Sequence, residues 1–446
     1  MRDFGIGAFL YDVNISCVAY ADDVALLATT HTRLQQLLEI ANEHSKEWFY
    51  KYNCKKSEVV CFTKLKHSPT FWLGNDILPI RNHVKHLGII ISNSPQGIVE
   101  HINDKITDGR KVMVAMKGIG SSRVPLSTKA CSKLYWSVAM PTVTYGLEVT
   151  EIPEIAFKKL EDAHWSIAKQ IQHLPAQTSN PAVLPQLGWM TIEGHVDYIR
   201  LMFLWRLLVM PSTSIYKIVT LLRCIHLLND QIVATTGPLF RILCAAKKYN
   251  ILDLIKNSIY HAKYVSLEMW RKQVKTAIHE KEWMRHSVSF SLYRSLNLFK
   301  KSVLGIKVSP WWVHASRYPE MSNSINVLMR SLAGVQDLEY GYNTSVNCSS
   351  CSMMVESSPC HLLFECPQFN EIRMFESNLL VLACPEAFLM SFESLSNENK
   401  TVLIMSGLGG NYVKEHEYIY TAILNYVHKL YQAKQFYMLD AVTRTT

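Results

Sequence analysis

The stretch Ser16-Cys17-Val18-Ala19-Tyr20-Ala21-Asp22-Asp23-Val24-Ala25-Leu26-Leu27-Ala28 decides how this chain is read. Two apolar runs flank a pair of adjacent carboxylates. Runs of this length and composition around a tight polar turn predict a β-hairpin buried on both faces, with Tyr20, Ala21, Asp22 and Asp23 at its tip. Aspartate alone is ordinary turn chemistry, because its side chain bonds nearby backbone. A surface turn, however, does not need such apolar flanks. Two anions buried on them are costly unless a cation sits beside them. A pair of Mg²⁺ ions meets that need. Hard cations take carboxylate oxygens, and two of them can hold the attacking and leaving oxygens of a phosphoryl transfer.

At 446 residues the chain can bury a large core in two or more domains, and 48% hydrophobic residues exclude a disordered chain. The net charge of +9 mildly favours a polyanionic partner, with lysines and arginines spread along the chain rather than gathered in a tail. Met1-Arg2-Asp3 leads into no apolar leader core, and the greasiest run, Leu201 to Met210, is short and interrupted by Arg206. No membrane contact and an intracellular setting, nucleus or cytoplasm, are therefore expected. Of eleven cysteines only Cys348 to Cys366 cluster, which points to a reducing compartment and one metal site rather than a disulfide framework.

After the hairpin, Thr32-Arg33-Leu34-Gln35 reads as a capping box, and Leu34, Leu37, Leu38, Ala41, Ser45 and Trp48 keep helical spacing. Asn53-Cys54-Lys55-Lys56-Ser57 precedes a strand over 58–62. Phe71-Trp72-Leu73, a Gly74-Asn75-Asp76 turn and Ile77 to Ile80 form a hairpin, and a last strand runs from His86 through Leu87 and Gly88 to Ser92. Residues 8–93 thus form an α+β region with a helix on one face. A further carboxylate for a two-metal site has only Asp3 and Asp12 as earlier candidates, and neither has the surroundings of a buried strand end.

Tyr20-Ala21-Asp22-Asp23, a helix, Asn53-x-x-Lys56-Ser57 and then His86-Leu87-Gly88, in this order, resemble the palm of reverse transcriptases, particularly those of non-LTR (LINE-type) retrotransposons. The resemblance implies that Asp22 and Asp23 are catalytic carboxylates holding Mg²⁺, Asp22 foremost. It implies that Tyr20 packs beside primer or template and that Lys56 lies near the incoming triphosphate. Leu87 and Gly88 would open the hairpin that grips the primer end. His86 stands where that family usually has Tyr. Lys133 to Pro141, Tyr145-Gly146-Leu147-Glu148, Leu160-Glu161-Asp162-Ala163 and Gln186-Leu187-Gly188-Trp189 resemble the family's thumb and the region after it. Lys105, Arg110, Lys111 and Lys117 are candidates for phosphate contact, although each alone also suits a plain solvated surface. Over 266–283 a helix is expected to turn Trp270 and Trp283 inward and wet its basic residues.

Cys348-Ser349-Ser350-Cys351, His361 and Cys366 form the second constellation. Two thiolates in Cys-x-x-Cys spacing grip one metal, and an imidazole with a third thiolate completes a tetrahedron that suits Zn²⁺. Pro367 should end a short helix at Cys366 and turn that thiol back; Cys360 adjoins His361 and is the alternative ligand. With Leu328 to Gly334 before it, this set resembles the C-terminal zinc element of many such retrotransposon proteins.

The expected architecture is α+β: a partial palm (antiparallel sheet plus helix) at 1–93, thumb and post-thumb helices at 94–210, a helical connector at 211–335, a zinc-binding element at 336–375 and C-terminal helices at 376–446. The expected reaction is RNA-templated attack of a DNA primer 3′-hydroxyl on a deoxynucleoside triphosphate. The fingers, the first palm carboxylate and any endonuclease would lie upstream of Met1, so little or no activity is expected of this chain alone. The alternative is a non-enzymatic nucleic-acid-binding protein derived from a retrotransposon.

Overall fold

The computed structural model describes residues 5–63, 69–119, 126–229, 237–335, 346–348, 350–355, 358–409 and 411–445. Asp3 and the side chain of Lys117 lie outside them. The chain divides into two compact units, one of residues 1–105, 144–158 and 196–274, the other of 106–143, 159–195 and 275–446.

The first unit opens with short antiparallel ribbons. β1 (Phe9–Leu10) pairs with β2 (Val13–Asn14), and β3 (Cys17–Tyr20) pairs with β4 (Asp23–Leu26) in the register Tyr20 to Asp23. The buried Ser16 hydroxyl ties the segment down. It donates to the Ile6 carbonyl (2.7 Å) and accepts from the Ala8 amide (3.1 Å).

α1 (His31–Glu47) follows and buries Leu37, Leu38, Ala41 and Ser45, as its spacing requires. Its N-cap is Thr30, whose hydroxyl accepts from the Arg33 amide, and not Thr32. Gln35 is therefore free of the capping box. Its side-chain amide instead brackets Trp72, accepting from the backbone N–H (2.9 Å) and donating to the carbonyl (3.1 Å).

β5 is reduced to Val59–Val60. β6 (Phe71–Leu73) and β7 (Asp76–Leu78) form the expected hairpin. Pro79 then ends β7, having no N–H to offer. β8 (Ile80–Arg81) turns away to pair in parallel with β5, starting from the Val59 amide on the Pro79 carbonyl (2.9 Å). Leu38, Val59, Phe71, Leu73 and Leu78 make the core of this region. Phe71 is fully buried in it. Phe71→Ala is expected to cost about 3–5 kcal/mol, seen as loss of amide protection across α1, β5 and β6 in hydrogen exchange.

The last strand of the sequence reading is in fact two. β9 (His83–His86) and β10 (Ile89–Ser92) are antiparallel, and Leu87-Gly88 is the turn between them. Both turn residues have positive φ, 50° and 80°, which is the backbone a two-residue hairpin demands and which glycine tolerates best.

From here the chain is largely helical: α2 (Pro95–Ile119), α3 (Thr128–Leu134), α4 (Met140–Thr144), α5 (Glu154–Ile171), α6 (Ile192–Leu208), α7 (Ile215–Asn229), α8 (Pro238–Lys248), α9 (Leu252–Tyr260), α10 (Leu267–Leu292), α11 (Asn297–Ser302), α12 (Pro310–Arg317) and α13 (Ser322–Leu332). The ribbon β11 (Val346–Asn347) with β12 (Met354–Val355) precedes α14 (Ser358–Cys360), α15 (Asn370–Ala383), α16 (Glu386–Glu393), α17 (Asn397–Met405) and α18 (Glu417–Thr445). Small β-sheets followed by helices are the fold class the pattern of the sequence predicts. Within the first unit Trp270 is fully buried. In the second Trp283 is half-buried, and Lys281 and Arg285 are exposed beside it.

A π-helical turn at Tyr135–Ala139 joins α3 to α4, whose second residue is Pro141. Pro141 has no amide for the usual fourth-residue bond, and the wider turn absorbs the defect. In the second unit the aromatic stack of Tyr135, His164 and Trp189 forms one buried centre, with Trp189 parallel to Tyr135 at 4.6 Å. α18 packs along α13 and α15 and carries the core of the C-terminal region.

Candidate functional site

The carboxylate hairpin has the expected shape but not the expected burial. Ala21 and Asp22 form a two-residue turn, with Ala21 in left-handed backbone (φ 52°). Ala19 to Val24 are all exposed, Tyr20 to 67%. The reason is that β3 and β4 pair only with each other, and the packing reaches no further out than Leu26 at the base. The cost of burying two anions therefore does not arise here, and that ground for Mg²⁺ falls away.

Asp22 and Asp23 remain the two adjacent carboxylates. Asp12 sits in the turn between β1 and β2, on a different ribbon. Among the described residues no third His, Cys, Asp or Glu joins Asp22 and Asp23 in a metal-holding group. Two carboxylates do not complete a two-metal clamp, so the donor set present here does not fit a pair of Mg²⁺ ions.

The other two N-terminal motifs of the sequence also fall on turns. Asn53-Cys54-Lys55-Lys56 is a β-turn closed by the Lys56 amide on the Asn53 carbonyl (2.9 Å), with the Ser57 hydroxyl on the same oxygen. It delivers the exposed Lys56 just before β5, and β5 lies against β9. The Leu87-Gly88 turn is held by a residue far along the chain: the Tyr145 hydroxyl donates to the Leu87 carbonyl (2.9 Å). A Cβ on Gly88 would stand 3.2 Å from the Tyr145 ring, and one on Gly146 would collide with Ile89. Tyr145-Gly146 and Leu87-Gly88 are thus one packed unit, a link that no local signal in the sequence discloses. Of the basic candidates, Lys105 lies over the Tyr145 ring, Lys111 pairs with Asp108 (3.1 Å), and Arg110 is exposed.

The second constellation does assemble. The ligand atoms of Cys348, Cys351, His361 and Cys366 all lie within 4.8 Å of one another. Cys348 and Cys351 come from the turn of the β11–β12 ribbon, where the Cys348 amide bonds the Met353 carbonyl (2.7 Å) and Ser352 takes positive φ. His361 and Cys366 come from a π-helical turn, His361–Glu365, which ends where Pro367 follows. In an α-helix residues five apart point about 140° apart. The Cys366 amide instead bonds the His361 carbonyl, five residues back, and this wider turn brings both side chains to one side. Arg373, itself buried, secures the turn by donating to the Leu362 and Cys366 carbonyls.

Cys348 and Cys366 sulfurs are 4.0 Å apart, and the Cys351 sulfur is 3.2 Å from His361 Nε2. A tetrahedral Zn²⁺ with bonds of about 2.3 Å to sulfur and about 2.0 Å to nitrogen has edges of about 3.5–3.8 Å, so these residues fit it. Glu365 stands 3.8 Å from His361 Nδ1, on the far side of the ring from the cluster. Burial opposes ionisation of Cys348, but the backbone amides of Ser350 and Cys351 together with the Cys351 and Cys366 thiols outweigh it and hold the thiol below its usual range. Burial pushes the Cys366 thiol up to about 12, with the Cys348 charge adding to it. Cys360 is not a member of the group. It turns to Glu365 instead, and its thiol is raised to about 11 by burial. The π turn is what sequence reading missed here; Pro367, two residues beyond its end, is its only sequence-level signal.

With this geometry in view, comparison with known proteins is informative at one end. Residues 5–91 match the family model for reverse transcriptase (RNA-dependent DNA polymerase). That segment is a reverse transcriptase domain, a class that acts on nucleic acid and generally uses Mg²⁺. Neither the curated proteins nor the solved structures give a match. Among the described residues no helix is long and apolar enough to cross a membrane.

Proposed function

We propose that this chain carries the carboxylate hairpin, thumb and zinc element of a LINE-type reverse transcriptase, and that alone it binds nucleic acid without polymerising. On this reading residues 1–93 are the palm portion, 94–210 the thumb and post-thumb helices, 211–335 the connector, 336–375 the zinc element and 376–446 the closing helices. RNA template, DNA primer and deoxynucleoside triphosphate are the substrates. Asp22 and Asp23 are the catalytic carboxylates. Tyr20, Lys56, Leu87 and Gly88 contact substrate, and Cys348, Cys351, His361 and Cys366 hold Zn²⁺.

The observation that carries the second half of the proposal is the open tip. Asp22 and Asp23 are exposed, and no third ligand stands with them among the described residues. The reaction needs two cations fixed against the primer hydroxyl and the triphosphate at once. Two solvated carboxylates bind such ions too loosely for that. The support for nucleic-acid binding is the reverse transcriptase domain together with a net charge of +9.

Primer extension with purified chain, Mg²⁺ and an RNA template tests the proposal. The expected result is no product above a no-enzyme control, alongside salt-dependent RNA binding that Asp22→Ala leaves intact. Robust templated synthesis that Asp22→Ala abolishes would overturn it.

A further inference from the structure

The first unit carries a second surface that the carboxylate hairpin does not use. α1 ends at Trp48 with the Tyr50 amide on the Ser45 carbonyl (3.0 Å) and the Phe49 amide on the Lys46 carbonyl (3.3 Å). In this closure the residue after the cap must take left-handed backbone, and glycine usually fills the place. Here it is Phe49, with φ 55°. Strain at such a site is normally offset by packing, yet the Phe49 ring is 97% exposed. Trp48 beside it is 66% exposed.

The neighbouring rings are fixed. His44 stacks on Trp48 (centroids 6.0 Å, planes 25° apart). Its Nδ1 meets the Tyr50 hydroxyl at 2.9 Å, and that hydroxyl meets the Tyr52 hydroxyl at 3.0 Å. Basic residues interleave with this ladder. Between residues 46 and 56 there are four lysines and one glutamate. Lys46 is engaged by Glu43, whereas Lys51, Lys55 and Lys56 are exposed.

We propose that Trp48, Phe49 and Tyr50, with Lys51 and Lys55, form a docking face for single-stranded nucleic acid. Exposed rings offer stacking to any unpaired base, and flanking lysines suit the phosphates between bases. A duplex keeps its base faces covered and cannot use the rings. The lysines are the charge complement that a purely apolar protein partner would not require. The inference deepens the reading of this unit as a nucleic-acid-handling domain, by naming a contact outside the carboxylate hairpin.

Fluorescence anisotropy on the full chain tests it, with labelled oligothymidine of about twenty nucleotides and a duplex of the same length, from about 50 to 200 mM salt. Trp48→Ala with Phe49→Ala is expected to weaken oligothymidine binding about tenfold or more and duplex binding less than about twofold. Lys51→Gln with Lys55→Gln should lower the salt slope by about 1.4. Phe49→Gly guards against misfolding, because it relieves the backbone and removes only the ring. It should melt at or above the parent temperature and still bind oligothymidine more weakly. A Phe49→Gly chain that is stable and binds as the parent does, or ladder variants that weaken duplex and single strand alike, overturns the proposal. Primer extension, whichever way it falls, does not alter these outcomes.

Discussion

Chain purified with zinc in the medium is expected to hold about one Zn²⁺, and Cys366→Ser less than about a tenth of that. The four ligand atoms already stand at near-tetrahedral spacing, two from the β11–β12 ribbon and two from the π turn. The β11–β12 ribbon has two residues in each strand, and the π turn has one helical circuit. The turn is held by Arg373 and by its buried Leu362 and Leu363, but so short a ribbon does not hold itself together in water without a staple. Structural Zn²⁺ contributes about 10–16 kcal/mol to such elements, more than most whole domains possess. Removing it should therefore open the β11–β12 ribbon around Cys348 and Cys351, seen as rapid amide exchange and new proteolytic cleavage there.

Cys360→Ser is the informative contrast, because that thiol lies outside the group and should leave the zinc content unchanged. Acid should release the metal. Zn²⁺ takes thiolates, so its binding displaces thiol protons, that of Cys366 held by burial among them, and apparent affinity rises with pH through the neutral range. Full zinc occupancy in Cys366→Ser would rule the centre out.

The second large effect is on acid stability. His164, His195 and His286 belong to the second unit; His164 and His286 are buried and His195 is half-buried. Burial pushes His164 down to about 3 and the other two down to about 4, with the Arg285 charge helping at His286. The His164 tautomer is set by its surroundings. Nε2 donates to the Met190 carbonyl (2.9 Å), so Nδ1 accepts from the Tyr135 hydroxyl (2.8 Å), and a proton on Nδ1 would break that bond.

A depressed folded pKa means that the unfolded chain binds protons first. Stability is then complete above the unfolded value, about 6.5, and is lost as pH falls from there towards 4. Each such histidine contributes a slope of about 1.4 kcal/mol per pH unit, so three acting together exhaust ordinary stability within a few units. Glu161, raised by burial, works weakly the other way. Urea unfolding at pH 7, 5.5 and 4.5, about the span of the slope, should show the midpoint falling steeply, and His164→Gln should flatten the fall. A midpoint unchanged between pH 7 and 5 would show that these rings are not held neutral.

Much of the N-terminal region was legible from short-range signals. The turn at Asp22, the helix with Leu37, Leu38 and Ala41 on its inner face, and the β6–β7 hairpin all depend on residues a few positions apart. So did the break in helix at Cys366, because Pro367 imposes it through its own ring. Legibility failed where one local pattern served two structures. Leu87-Gly88 fits the middle of a strand as well as a hairpin turn until the pairing of His86 with Ile89 is known. Gln35 satisfies a capping box on paper, yet it reaches Trp72, because the helix starts two residues earlier.

Residue identity alone thus sufficed to mark the adjacent carboxylates, the Cys₃His set and the α+β order, since each is a matter of chemistry and spacing along the chain. Packing between distant segments settled the rest: that the acidic tip is open to water, that Tyr145 locks the Leu87-Gly88 turn, and that a widened helical turn aims His361 and Cys366 together. These depend on which surfaces are covered and by what. A side chain's burial is set by neighbours that may stand fifty residues away in sequence, and no periodicity encodes them.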